Sequence, residues 1–161
     1  MSERECLLSA WIDSPVGCLR AGVSAAALEL LEFSQPPPPG VESADTPLLR
    51  QLRCELQEYF DGQRRVFDVP LNYAGTPFQQ RVWSVLRGIA YGERLSYLEQ
   101  SRRFGDEKAI RAVAQANGQN PIVILIPCHR VVNANGQLGG FGGGLLRKQQ
   151  LLDLERGDRL L

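Results

Sequence analysis

The stretch Ile122-Val123-Ile124-Leu125-Ile126-Pro127-Cys128-His129-Arg130-Val131-Val132 constrains this chain more than any other. Five aliphatic residues in a row, mostly β-branched, read as a short buried segment, and Pro127 ends it by removing a backbone donor and fixing φ. A thiol, Cys128, therefore sits at the edge of a rigid core, beside the single histidine of the sequence, His129. A thiol is a strong nucleophile only as thiolate, which a neighbouring base or cation favours, and His129 and Arg130 are the adjacent candidates. In an extended segment adjacent side chains point to opposite faces. His129 then acts on Cys128 through a water, or directly only if the chain turns at Cys128. By adjacency alone, a buried structural cysteine beside a hydrogen-bonded histidine is the simpler reading.

The 161 residues, 43% of them apolar, suit one domain or two small packed lobes whose core needs neither metal nor disulfide. No apolar run approaches the length of a membrane span, and Met1-Ser2-Glu3-Arg4-Glu5 lacks the basic-then-apolar plan of a signal peptide. Cys6, Cys18, Cys54 and Cys128 show neither CxxC spacing nor a dense framework, which suits a reducing, cytoplasmic compartment. Net charge is zero, but residues 1–75 hold 6 basic and 11 acidic side chains, whereas residues 76–161 hold 12 and 7. Between Lys108 and Leu152 there is no Asp or Glu at all, while Lys108, Arg111, Arg130, Arg147 and Lys148 all fall there. Such a field attracts a phosphate backbone, with an affinity that falls with salt.

Along the chain, Cys6 to Ile12, Cys18 to Ser24 and Leu28 to Phe33 read as three short strands of an antiparallel sheet joined by tight turns. Four consecutive prolines between Gln35 and Gly40 make a stiff surface connector. Thr46-Pro47 then opens a helix whose Leu48, Leu49, Leu52, Leu56, Tyr59 and Phe60 recur at helical spacing and cover one face of the sheet. Residues 62–75 are poorly patterned and read as a linker, which divides the chain into an N-terminal lobe, 1–75, and a C-terminal lobe, 76–161. Thr76-Pro77 opens a second helix, with a stripe of Phe78, Val82, Val85, Leu86 and Ile89, ended by Tyr91-Gly92. Ser96-Tyr97-Leu98-Glu99 is a capping box, Phe104-Gly105 a turn, and Asp106 caps another helix that runs to Asn117. That is a helix-turn-helix plan, which ordinary all-α packing also produces. The expected fold is α/β in content and α+β in arrangement: a small N-terminal antiparallel sheet with a helix, then a mainly helical lobe.

Ala109, Ala112, Val113, Ala114 and Ala116 make the second helix of that motif slim, with Arg111 its longest projecting group. A major-groove reader needs several polar side chains reaching base edges, and here they are scarce. A slim helix with one arginine suits minor-groove insertion, the arginine filling the gap left by an extruded nucleotide. Asn133-Ala134-Asn135-Gly136 is a turn signal. The glycines from Gly139 to Gly144 lack the spacing of a P-loop and read instead as one wall of a pocket.

Taken together, Thr76-Pro77-Phe78-Gln79-Gln80-Arg81-Val82-Trp83, Arg111-Ala112-Val113, Asn117-Gly118-Gln119-Asn120-Pro121, Pro127 to Val132 and Gly139 to Leu145 resemble the O6-alkylguanine-DNA alkyltransferases. In these proteins one cysteine accepts an alkyl group irreversibly. The resemblance covers about half of the chain, Thr76 to Glu155, and the Pro-Cys-His-Arg-Val core is its most specific part. It implies single-turnover transfer from O6-alkylguanine, with O4-alkylthymine as a further substrate to test, to Cys128 after nucleotide flipping, in double-stranded DNA entered from the minor groove by a monomer. His129 becomes the base through a water, Glu155 orients and stabilises its imidazolium, Asn120 ties the turn at Cys128, and Lys148 donates to the leaving oxygen. Arg111, Tyr97 and Gln79 contact DNA, and Tyr97, Val131, Phe141 and Gly142 form the lesion pocket. Family members often carry tyrosine where Phe141 stands, so a hydroxyl is lost there. The pairing of cysteine with histidine leads to the expectation that the Cys128 pKa is lowered. No cofactor is implied. Cys6 and Cys18 correspond to half of the zinc site of some relatives, but the single histidine belongs to Cys128, so no metal is expected. The alternative functions are a cysteine hydrolase built on the same residues and a lesion-binding protein that transfers nothing.

Overall fold

In a computed structural model of the chain, residues 7–157 are described and two compact units are formed, Met1–Tyr73 and Ala74–Leu161. The first unit carries three antiparallel strands, β1 (Leu8–Ile12), β2 (Leu19–Val23) and β3 (Leu28–Phe33), in the order β1-β2-β3. Period-two alternation buries Ala10 and Ile12 on β1 and Leu19, Ala21 and Val23 on β2. A register shift at Gly22/Val23 pairs Val23 with Leu28 and Ala21 with Leu31, so that Leu28 and Leu31, three residues apart, are both buried. The expected start of the first strand at Cys6 lies outside the described residues.

Helix α1 (Pro47–Phe60) begins where Thr46-Pro47 implies: the Thr46 hydroxyl accepts the Leu49 N–H at 3.2 Å. Its buried face includes one acid, Glu55, which accepts the N–H groups of Asp68 at 2.7 Å and Val69 at 3.2 Å. Leu28 donates to the Pro70 carbonyl and accepts from Asn72 N–H, a bridge to Leu71. Most of the stretch expected as a linker is therefore anchored to the first unit. The anchors are backbone groups meeting a distant carboxylate, which leave no periodic trace.

The second unit opens with α2 (Pro77–Arg87), capped by a reciprocal box between Thr76 and Gln79. The helix ends at Gly88 instead of the expected Tyr91-Gly92; glycine is a poor helix former, and the N–H groups of Gly88 and Ile89 tighten to i−3 carbonyls. Next come β4 (Leu95–Ser96), α3 (Tyr97–Phe104), a 3-10 turn (Glu107–Ala109) capped by Asp106, and α4 (Ile110–Gly118). The Ser96/Glu99 capping box starts α3, and Gly105 ends it at φ 104°, a left-handed conformation open to glycine. This is the expected helix-turn-helix, with α2 packed on both helices. A short strand β5 (Val131–Val132) runs parallel to β4, Leu95 facing Val131, and α5 (Leu145–Arg156) closes the unit. Among the described residues no helix is long and apolar enough to cross a membrane.

A buried amide pair locks α3 to α4. Gln100 Nε2 donates to Asn117 Oδ1 at 2.6 Å and Asn117 Nδ2 donates to Gln100 Oε1 at 2.7 Å. Replacing one partner leaves the other buried and unsatisfied, at a cost of about 1–3 kcal/mol, whereas replacing both by apolar groups is close to neutral. Urea unfolding of Gln100→Leu and Asn117→Leu is expected to show this loss in each single variant and a double variant more stable than their sum.

Candidate active site

The apolar run Ile122 to Ile126 is not a strand but a sequence of tight turns, with Leu125 N–H on the Val123 carbonyl at 2.8 Å and Ile126 N–H on that of Ile122 at 3.0 Å. Ile124 sits at φ 73°, a costly conformation for a β-branched residue, held in place because its side chain is buried in the core. Pro127 then leads into a 3-10 turn, Cys128–Arg130, so the chain does turn at the thiol. Asn120, just after α4, fixes this turn. Its Nδ2 donates to the Ile126 carbonyl at 2.6 Å and to Cys128 Sγ at 3.2 Å, while its Oδ1 accepts the Ile122 N–H.

His129 is fully buried, with Nε2 2.6 Å from Glu155 Oε2. Arg130, which sequence analysis offered to the thiol, instead clamps the same carboxylate: Nε donates to Oε1 at 2.7 Å, Nη2 to Oε2 at 3.1 Å, and Nη1 to the Ile89 carbonyl at 2.6 Å. Burial pushes Glu155 up, yet the bonds from His129 and Arg130 outweigh it and hold the carboxyl far below the usual range. Burial, helped by the charges of Arg130 and Lys148, pushes His129 below its ordinary 6.5. A neutral imidazole against an ionised carboxylate carries its proton on Nε2. Nδ1, which has no partner among the described residues, is then the free basic nitrogen.

The expected lowering of the thiol is not found. Burial pushes Cys128 up, and the Asn120 N–H and the Lys148 charge offset only part of it. The thiol is protonated at rest. Lys148, buried on α5, donates to the carbonyls of Leu138 and Gly140, the latter at 3.0 Å, which among the described residues leaves one N–H of its three unused. Burial lowers its pKa to about 8.

A cavity of about 390 Å³ is bordered by Tyr97 at the start of α3, Arg111 and Ala114 on α4, and Asn133, Gly139 and Gly140 on the glycine-rich loop. Gly139, at φ 71°, packs so closely on Tyr97 that a Cβ would stand 2.6 Å from the hydroxyl. Lys148 Nζ lies 6.0 Å from the centre of the Tyr97 ring. Arg111 is exposed and unpaired among the described residues. Of the other residues assigned to the pocket, Val131 is buried in β5, and Phe141 and Gly142 lie just past the glycines that border the cavity. Gln79 is engaged by the Thr76 box and donates to Gln119 Oε1 at 2.8 Å. Arg130 and Asn133 carry no separate sequence signal: one was read for its nearness to Cys128, the other as part of a turn. Among the described residues no three metal-binding side chains converge, and Cys6 lies outside them.

Residues 77–157 match the model of the 6-O-methylguanine DNA methyltransferase DNA-binding domain. The methylated-DNA–protein-cysteine methyltransferase of Mycobacterium tuberculosis is 45% identical over 148 residues, 90% of each chain. The constitutive Bacillus subtilis protein of that name is 47% identical over 116 residues, 71% of this chain and 70% of that one. Among solved structures, Mycobacterium tuberculosis OGT in complex with DNA superposes with a TM-score of 0.85 at 42% identity, covering 94% of both chains. A Methanococcus jannaschii O6-methylguanine DNA methyltransferase shares the fold, with a TM-score of 0.68 at 22% identity. With half of the chain matched by the domain model and 90% of it aligned at 45% identity, this chain belongs to the methylated-DNA–protein-cysteine methyltransferase family.

Proposed function

We propose that this protein repairs DNA by moving the alkyl group of O6-alkylguanine onto Cys128, once per molecule. The observation that carries the proposal is that one 3-10 turn, Cys128–Arg130, joins an Asn120-bonded thiol to the His129 and Arg130 side chains that hold Glu155 of α5. In the reaction the thiol proton passes through a water to His129 Nδ1, sulfur attacks the alkyl carbon in line, and the bond from that carbon to O6 breaks. The electron pair stays on guanine, which takes a proton from the remaining N–H of Lys148, an acid suited to neutral pH by its pKa of about 8. Glu155 stabilises the imidazolium, and solvent reprotonates Lys148. A thioether has no built-in release step, so the protein stops after one event.

DNA reaches the site through the helix-turn-helix. A monomer lays α4 in the minor groove, Arg111 fills the place of the flipped nucleotide, and Tyr97 crowds the phosphate or the base. Val131, Phe141 and Gly142 complete the lesion pocket, and the protein acts in the cytoplasm without a cofactor. Gln79 touches DNA only if its bond to Gln119 gives way.

Incubation with a duplex carrying one O6-methylguanine is expected to add one methyl group to the intact mass, on Cys128 and on no other cysteine. Cys128→Ser should bind the duplex with salt-weakened affinity and gain no mass. Repeated turnover, or binding without an adduct, contradicts the proposal.

Arg111→Ala should slow transfer from duplex by roughly 10- to 100-fold, the scale of an unstacking cost of a few kcal/mol, and leave transfer from free O6-alkylguanine base nearly intact. Equal slowing on both substrates removes the finger role.

The pH profile follows from the histidine. Because burial lowers the His129 pKa, the base stays neutral as pH falls through its ordinary 6.5, and the acid limb of the transfer rate should lie below that value. A limb at or above 6.5 contradicts the arrangement.

A further inference from the structure

Asn133 is the polar side chain at the cavity that the proposed reaction leaves without a task. It follows β5 directly, and its backbone is fixed by the turn: its N–H donates to the Gln137 carbonyl at 2.8 Å and its carbonyl accepts the Gly136 N–H at 2.9 Å. Its side-chain amide, by contrast, has no partner among the described residues and borders the cavity. The surrounding wall is otherwise apolar or bare: Ile110, Ala114, Gly139 and Gly140. The Tyr97 ring packs on Gly139, where a Cβ would stand 2.6 Å from its hydroxyl, and Arg111 is needed in the duplex. No carboxylate lies between Lys108 and Leu152 to repel an anion, while Lys148 stands close to Tyr97.

Ligand pockets of this kind owe their selectivity to a few placed polar groups among apolar walls. Asn133 offers both a donor and an acceptor at a fixed point of the wall. We infer that Asn133 is a specificity-determining residue whose amide hydrogen-bonds an oxygen at the far end of the O6 substituent, favouring guanines with oxygen-bearing adducts over purely aliphatic ones of equal size. The inference rests on the transfer reaction proposed above. The shared chemistry is a terminal oxygen, as a hydroxyl in O6-hydroxyethylguanine or a carboxylate in O6-carboxymethylguanine.

The test compares isosteric pairs in the same duplex: hydroxyethyl against propyl, and carboxymethyl against isobutyl. Single-turnover rates are taken for the wild-type protein, for Asn133→Leu, which keeps the shape, and for Asn133→Asp, which keeps an acceptor but adds a charge. The wild-type protein should prefer the oxygen-bearing member of each pair, and Asn133→Leu should reduce that rate ratio by about 3- to 10-fold for the hydroxyl and more for the carboxylate. Asn133→Asp should retain the hydroxyethyl preference and lose the carboxymethyl one, which also separates the two sources of the oxygen. Wild-type ratios near one, or ratios unchanged in Asn133→Leu whatever happens to the absolute rates, overturn the inference and leave Asn133 as a turn residue. Absence of transfer from O6-methylguanine in the wild-type protein overturns the proposed function itself, and this inference with it.

Discussion

The carboxylate of Glu155 is the point on which the site depends. It is buried on α5 and takes three hydrogen bonds from two consecutive residues, His129 and Arg130, of the turn that begins with Cys128. Arg130 continues the connection to the Ile89 carbonyl, just after α2. One acid thus joins the last helix, the nucleophile's turn and the second helix. Removing one partner from such a buried cluster costs about 3–5 kcal/mol, because the remaining charge is left uncompensated. The same carboxylate decides which imidazole nitrogen carries the proton, so structural and chemical roles cannot be separated by deleting it. Two turns earlier on α5, Lys148 holds Leu138 and Gly140. The helix that orients the base therefore also positions the cavity wall.

A thiol kept protonated by burial fits a protein that uses its nucleophile once. Low-pKa, exposed thiols react readily with oxidants and unselective electrophiles, whereas a buried neutral thiol is inert until a base is offered to it. Here the base is close in the chain but neutral, and the opposing influences on Cys128, Asn120 N–H and Lys148, are already in place. Transfer then requires alignment of sulfur, carbon and leaving oxygen, and deprotonation accompanies it.

What could be read from sequence was what local chemistry decides. Thr46-Pro47, Thr76-Pro77 and Ser96 with Glu99 cap helices by contacts within four residues, and each cap is present as expected. The Cys128-His129 pair, Asn120, Glu155 and Lys148 were legible through their place in a family pattern, and the structure brings the first four together. What was not legible depends on tertiary burial or on distant backbone. The sign of the Cys128 shift is a property of its surroundings, and adjacency to histidine predicted the opposite. The clamp of Arg130 on Glu155 spans 25 residues, the Glu55 anchor meets bare N–H groups, and the two-residue ladder β4–β5 is too short for any period to reveal. Gln79 matched a family motif, yet its amide has local work in a cap and a bond to Gln119.

Because His129 is the only histidine, nitrogen NMR of its imidazole is free of assignment ambiguity and addresses the base directly. The account predicts a neutral ring with its proton on Nε2 and a bare Nδ1 at neutral pH, persisting as pH is lowered past 6.5 in the folded protein. An imidazolium at neutral pH, or a neutral ring protonated on Nδ1, contradicts it, since neither leaves Nδ1 free to receive the proton of Cys128 while Nε2 faces Glu155.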